Sequence, residues 1–189
     1  MLLYTDILTD DELFSDAYPM KEVDGIVYEV DCAMIVVKEG DVDIGANPSA
    51  EEIAEAMEDG ATTVNNVVHS FRLELTSFKK KGYGEHLKNY MKALKAKLAQ
   101  TNPDRVEAFQ KAANEFAKKI LANFDKYDFV SCNGVDEVND ATDGNGLVQY
   151  TGSSMDVDAP GMIALLNYRE DGITPYFTFW KDGVKERKL

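Results

Sequence analysis

Only two cysteines occur in the 189 residues, Cys32 and Cys132, and they lie too far apart to suggest a disulfide framework or a zinc-ligand spacing. Both read as reduced thiols. No apolar run approaches the roughly 20 residues that a membrane-spanning helix needs, so membrane insertion is not expected. The opening MLLYTDILTDDELFSD has no basic lead and turns acidic within a few residues. It does not read as a secretory signal, and a cytosolic location is expected. P-loop, GxSxG, HExxH, CxxC and dinucleotide-binding glycine patterns are all missing. A Cys–His nucleophile would have to be drawn from Cys32, Cys132, His69 and His86. His69 falls on the apolar side of an alternating stretch and reads as buried and hydrogen-bonded, whereas His86 borders a helical stripe and reads as exposed. Carboxylates are too numerous for any pair to stand out as acid and base. Nothing nominates an enzyme.

Positive charge is scarce as well. The net charge of −14 argues against nucleic-acid binding, which needs basic surface to meet phosphate. The few cations are unevenly placed. Residues 1–77 carry 18 acidic and 3 basic side chains, residues 78–127 carry 5 and 12, and residues 128–189 carry 11 and 5. One basic segment therefore sits inside an acidic chain, and it reads either as a solvated helix face, the usual meaning of such a pattern, or as a docking surface for acidic partners.

That basic segment has a helical period. In FKKKGYGEHLKNYMKALKAKLAQ, Tyr83, Leu87, Tyr90, Met91, Leu94 and Leu98 form one stripe, with Lys81, Lys88, Lys92 and Lys95 on the other side. Ser77 is the expected N-cap. Asn102 is expected to cap a second helix, with Pro103 at its first position and Asp104 in its first turn. Val106, Phe109, Ala113, Phe116, Ala117, Ile120 and Phe124 make the second stripe. So short a link predicts an antiparallel helical hairpin over about residues 77–125.

The flanks read as strands. MLLYTDIL is a short apolar start, and DDELFSD a turn or single helical turn after it. GIVYEVDCAMIVVKEG predicts one bent strand or a hairpin, and VVHSFRLELTSF alternates like a half-buried antiparallel strand. MIALLNYREDGITPYFTFWKDGV predicts a hairpin about Asp171–Gly172, with Pro175 opening its second strand and a further turn at Asp182–Gly183. Between helices and hairpin, residues 131–160 are rich in Gly, Asn, Asp and Ser and read as loop, with GLVQYTG a strand candidate inside it. Strands, a helix pair, then strands predict an α+β fold, a single domain over residues 1–189.

The stretch DVDIGANPSAEE, residues 41–52, imitates a calcium loop, with oxygen-bearing residues at positions 1, 3, 7, 9 and 12. Gly45 at position 5 offers no oxygen, and Ala46 stands where the sharp turn needs glycine. Ser49 followed by Glu52 instead matches a capping box. The run from Glu39 to Asp59, eight acids without a Lys or Arg, reads as an acidic loop with a helix start and weak attraction for divalent cations.

MLLYTDILTDDELFSD, IGANPSAEE, LTSFKKKGY, LKNYMKALKAKL, PDRVEAF, ILANFDKYDF and MIALLNYREDGITPYFTFWKDGV together resemble the translationally controlled tumour protein (TCTP) family, nearly end to end and in order. The resemblance implies a β-tent, a small mixed β domain with a protruding helical hairpin, related to nucleotide-free chaperones of Rab proteins. It implies a cytoplasmic, non-enzymatic, monomeric protein that needs no cofactor. The implied roles are weak calcium binding, microtubule association, contacts with translation elongation factors and anti-apoptotic proteins, a link to growth and survival, and regulation of Rheb-type small GTPases. On the matching motifs, Glu12 is the GTPase contact. Calcium contacts fall near Asn47 and Asp128, where Asp128 replaces an amide common in the family. Tubulin binding maps to the hairpin and its Lys81, Lys88, Lys92 and Lys95. Three departures stand out. The loop around residues 131–160 is longer than usual, the segment before VVHSFRL is shorter and more helix-prone, and KERKL ends without the cysteine through which relatives dimerise.

Overall fold

The structure, a computed structural model, describes residues 1–38, 41–42, 62–76, 79–124, 148–151 and 161–189. The expected acidic-loop capping box and most of the 131–160 loop lie outside these residues. Twelve strands and three α-helices are described, in three antiparallel sheets. The first strand, β1 (Leu2–Asp6), lies between β2 (Glu12–Ser15) and β12 (Val184–Lys188). The largest sheet runs β3 (Met20–Val23), β4 (Val27–Asp31), β11 (Pro175–Trp180), β10 (Ile163–Tyr168), β9 (Val148–Thr151), β8 (Glu74–Thr76). The third joins β5 (Met34–Lys38) to β6 (Asp41–Val42) and β7 (Thr62–Asn65). The α+β class and the helical hairpin, α2 (Lys80–Thr101) and α3 (Val106–Asn123), are as the sequence predicts.

Aromatic rings join the β12–β1–β2 sheet to the six-stranded one. Tyr4 of β1 stacks on Phe14 of β2 at 4.5 Å, and Phe14 stacks on Phe179 of β11 at 4.5 Å. Tyr28 of β4 meets both Tyr4 and Phe14 edge-on. Each such ring contributes about 1.5–3 kcal/mol by leaving water. The hairpin closes the same core. Tyr83, Leu87, Tyr90, Leu94 and Leu98 of α2 are buried with Phe109, Ala113 and Ile120 of α3, and the Phe116 ring meets Trp180 of β11 at 5.6 Å. The buried stripes are those of the sequence, with Met91, Val106, Phe116 and Ala117 partly buried at their margins.

Several local expectations are corrected. DDELFSD holds a strand, β2, and is neither a turn nor a single helical turn. A register shift against β1 between Tyr4 and Thr5 lets the consecutive Leu13 and Phe14 both turn inward, which hides the period of two. GIVYEVDCAMIVV is neither one strand nor a hairpin, because β4 and β5 belong to different sheets. VVHSF is a helix, α1 (Asn66–Phe71), and not a strand. Asn65 accepts from the amides of Val67 and Val68, and Arg72 ends the helix in the left-handed region at φ 50. His69 is consequently exposed, while His86 is half-buried, the reverse of the expectation. The α2 cap is Lys79, without a side-chain bond, and Ser77 lies outside the described residues. Asn102 makes no capping bond either, because Pro103–Arg105 forms a 3-10 turn ahead of α3. Pro175 does open β11, GLVQYTG contains β9, and the Asp171–Gly172 turn is present with Gly172 at φ 68.

The hairpin packs closely against Gly183, the end of a 3-10 turn (Lys181–Gly183) between β11 and β12. A Cβ there would stand 2.2 Å from the Tyr90 hydroxyl oxygen and 2.6 Å from the Met162 methyl. Gly183→Ala should therefore destabilise the protein by about 2–3 kcal/mol in urea denaturation. An unchanged midpoint would mean that this contact is slack.

Candidate functional site

The helical hairpin has an inner face that the β body occupies and an outer face that it leaves to solvent. Lys81, Lys88, Lys92 and Lys95 are all exposed on α2. At 3.6 residues per turn they lie within about 60° of one another, on the side opposite the buried stripe, and span roughly 21 Å at 1.5 Å per residue. None of the four makes an ion pair among the described residues. Glu85 is the single acid within α2. The structure thus brings the four predicted lysines together on one face, with the exposed Glu85 beside them at 3.6 residues per turn.

What holds that face in place was not visible in the sequence. At the tip of the hairpin, Arg105 donates through Nε and Nη2 to the two carboxylate oxygens of Asp182, at 2.9 Å each, and through Nη2 to the Gly25 carbonyl at 2.6 Å. This bidentate pair is half-sheltered, and the Asp182 hydrogen bond raises the guanidinium pKa. On α3, Lys119 donates to Asp24 at 2.7 Å, an exposed pair of small energetic weight.

A second junction lies midway along α2. Asp6, at the end of β1, is almost fully buried and accepts from the amides of Leu8 at 2.8 Å and Met162 at 2.6 Å. Burial raises the pKa of its carboxyl, opposed by those amide bonds. The phenol of Tyr90 is pushed well up, by burial first and then by the Asp6 charge, and its oxygen has no hydrogen-bond partner among the described residues. One turn earlier, His86 donates from Nε2 to the Gly161 carbonyl at 3.1 Å. Asp6, Tyr90 and His86 therefore tie β1, α2 and the start of β10 to one another.

Glu12 is exposed at the start of β2, in register with Thr5 of β1. Asn47 and Asp128 lie outside the described residues. Among the described residues no group of three or more His, Cys, Asp or Glu is arranged to hold a metal ion. Cys32 is buried, donating to the Pro175 carbonyl at 3.2 Å and accepting from the Asn65 amide at 3.0 Å, as a packed structural thiol does. No helix among the described residues is long and apolar enough to cross a membrane.

Comparison with known proteins agrees with this fold. The sequence profile described as Translationally controlled tumour protein matches residues 1–145 and 143–185. The translationally-controlled tumor protein homolog of Mycosarcoma maydis is 56% identical over 189 residues, covering 100% of both chains. That of Candida albicans is 53% identical over the same length, again 100% of both. Among solved structures, the translationally controlled tumor-associated protein of Schizosaccharomyces pombe superposes with a TM-score of 0.73 at 53% identity and full coverage of both chains. The translationally-controlled tumor protein of Caenorhabditis elegans gives 0.63 at 30% identity, covering 100% of this chain and 99% of its own.

The His86 junction yields a pH dependence. Burial lowers the imidazole pKa, against the Gly161 bond that raises it. A base depressed in the folded state binds more protons when unfolded, so its contribution is intact above the ordinary histidine range and is lost as the pH falls through it. Asp6 works in the opposite sense and is common to wild type and variant. Between about pH 7 and about pH 5.5 the thermal midpoint should fall further for the wild type than for His86→Gln. Equal slopes would remove the imidazole from the account.

Proposed function

Because the chain belongs to the translationally controlled tumour protein family, we propose that it is a non-catalytic, cytosolic, multi-partner interaction protein that docks acidic protein surfaces on the outer face of α2, tubulin among them. The observation that carries this reading is the row of Lys81, Lys88, Lys92 and Lys95, exposed and without an ion-pair partner among the described residues. Such a row attracts an acidic surface over about a Debye length, roughly 8–10 Å at physiological salt, and steers its approach. Translation elongation factors belong to the same proposed partner class. Weak calcium binding near Asn47 and Asp128 is part of the proposal, as an accessory property and not a cofactor requirement.

Co-sedimentation with microtubules at low salt tests it. Binding should weaken at least tenfold when Lys88, Lys92 and Lys95 are changed to Glu, and should fall as salt is raised, by roughly the loss expected for several charge contacts. Binding indifferent to both would sink the proposal.

A second reading is favoured by the exposure of Glu12 on an edge strand, beside a turn that Asp6 holds from beneath. In it, Glu12 approaches the nucleotide site of a Rheb-type GTPase as an exchange regulator or nucleotide-free chaperone. Stopped-flow release of labelled GDP should then accelerate with the wild type and return to the basal rate with Glu12→Val. A flat trace with the wild-type protein would exclude this role.

A further inference from the structure

Among the described residues, the outer edge of β12 has an unfilled hydrogen-bonding pattern. Among the described residues this strand pairs with β1 alone, and the sheet order leaves its other side open. The phase of the ladder can be read from its ends. Ile7 donates to the Gly183 carbonyl at 2.9 Å, and Leu189 donates to the Met1 carbonyl at 3.2 Å. In an antiparallel pair, bonded positions recur every second residue, so Lys185 and Arg187 spend their amides and carbonyls on Thr5 and Leu3. On its opposite side β1 uses Leu2 and Asp6 toward β2, as the same alternation requires. The amides and carbonyls of Glu186 and Lys188 consequently point away from the sheet. Val184 closes the lower end of this window, because its own amide bonds the Lys181 carbonyl.

The side chains along this edge select what can fill it. Lys185, Glu186, Arg187 and Lys188 are all exposed, three cations to one anion in a chain of net charge −14. Lys97 of α2 lies nearby, on a flank about 160° away from Lys95 at 3.6 residues per turn. It and Arg187 both act electrostatically on Asp10, which also forms an ion pair with Lys185. Charged edges of this kind oppose indiscriminate pairing. Pairing with a second copy about Glu186 would set Lys185 against Arg187 and one Glu186 against the other, like charge against like.

We propose that the open edge of β12 accepts an extended, Asp/Glu-rich segment of a partner protein as a fourth antiparallel strand. The backbone of Glu186 and Lys188 supplies the ladder, and Lys185, Arg187 and Lys188 supply the charge selection. Asp10 is the resident carboxylate on Lys185, and the incoming acid competes with it. This site uses residues other than the outer face of α2, so microtubule docking and strand addition can fail independently.

The test uses a fluorescein-labelled peptide of alternating Glu and Val, with alternating Lys and Val as its counterpart, in anisotropy titrations at low salt. Only the acidic peptide should bind. Glu186→Pro removes an outward amide while leaving the bonds to β1 in place, because proline is tolerated at such edge positions. It should weaken binding at least about tenfold with little change in thermal midpoint. In the unaltered protein, the peptide should slow amide exchange at Glu186 and Lys188, and not at Lys185 or Arg187, whose amides are already bonded. Absence of acidic-peptide binding, equal binding by Glu186→Pro with no slowing at Glu186 and Lys188, or an edge closed by a second copy in sedimentation would each overturn the proposal.

Discussion

Tyr90 packs against Gly183 with no space for even one more carbon, and the placement of the helical hairpin rests on that contact. Its ring is fully buried, between the Met162 side chain, the Lys181–Gly183 turn and the buried Asp6. Because Asp6 also accepts from Met162 and Leu8, one node fixes the end of β1, the entry to β10 and the middle of α2. Arg105 then clamps the hairpin tip to Asp182, the residue beside Gly183. Two attachments on neighbouring residues of one turn hold both the helix axis and its rotation.

That rotation decides which residues are available for function. With Tyr83, Leu87, Tyr90, Leu94 and Leu98 turned inward, the helical period leaves Lys81, Lys88, Lys92 and Lys95 outward, whatever partner they meet. Basic residues on the inner flanks are used for internal fixing, as Arg105 and Lys119 show. The hairpin's cations are therefore divided between holding it and presenting it. An otherwise acidic protein with one such face attracts acidic surfaces locally while repelling them elsewhere, which orients an encounter as well as strengthening it.

The long helices and the outward lysines were legible in the sequence because a stripe repeated over five turns overwhelms local exceptions. The short elements were not. The six residues NVVHSF are compatible with either period, and the decision fell to the Asn65 cap and the left-handed Arg72. ELFS lost its alternation to a register shift, and VKERK, a polar edge strand with one neighbour, has none to show. The Arg105–Asp182 clamp joins residues 77 positions apart, a distance over which no pattern in a single sequence carries information. The helical period pointed to the lysine face and family resemblance to Glu12, whereas the outward backbone of Glu186 and Lys188 became visible only with the register in hand.

The central claim is that hairpin and sheets share one core, so that the basic face is a fixed feature of the folded protein. Native-state hydrogen exchange in increasing denaturant measures this directly. The account predicts that the amides of Leu94 in α2, Ile120 in α3 and Phe177 in β11 merge into one opening with the same free energy. Helix amides that open at markedly lower free energy than Phe177 would contradict it, and would make the hairpin a separately folding appendage.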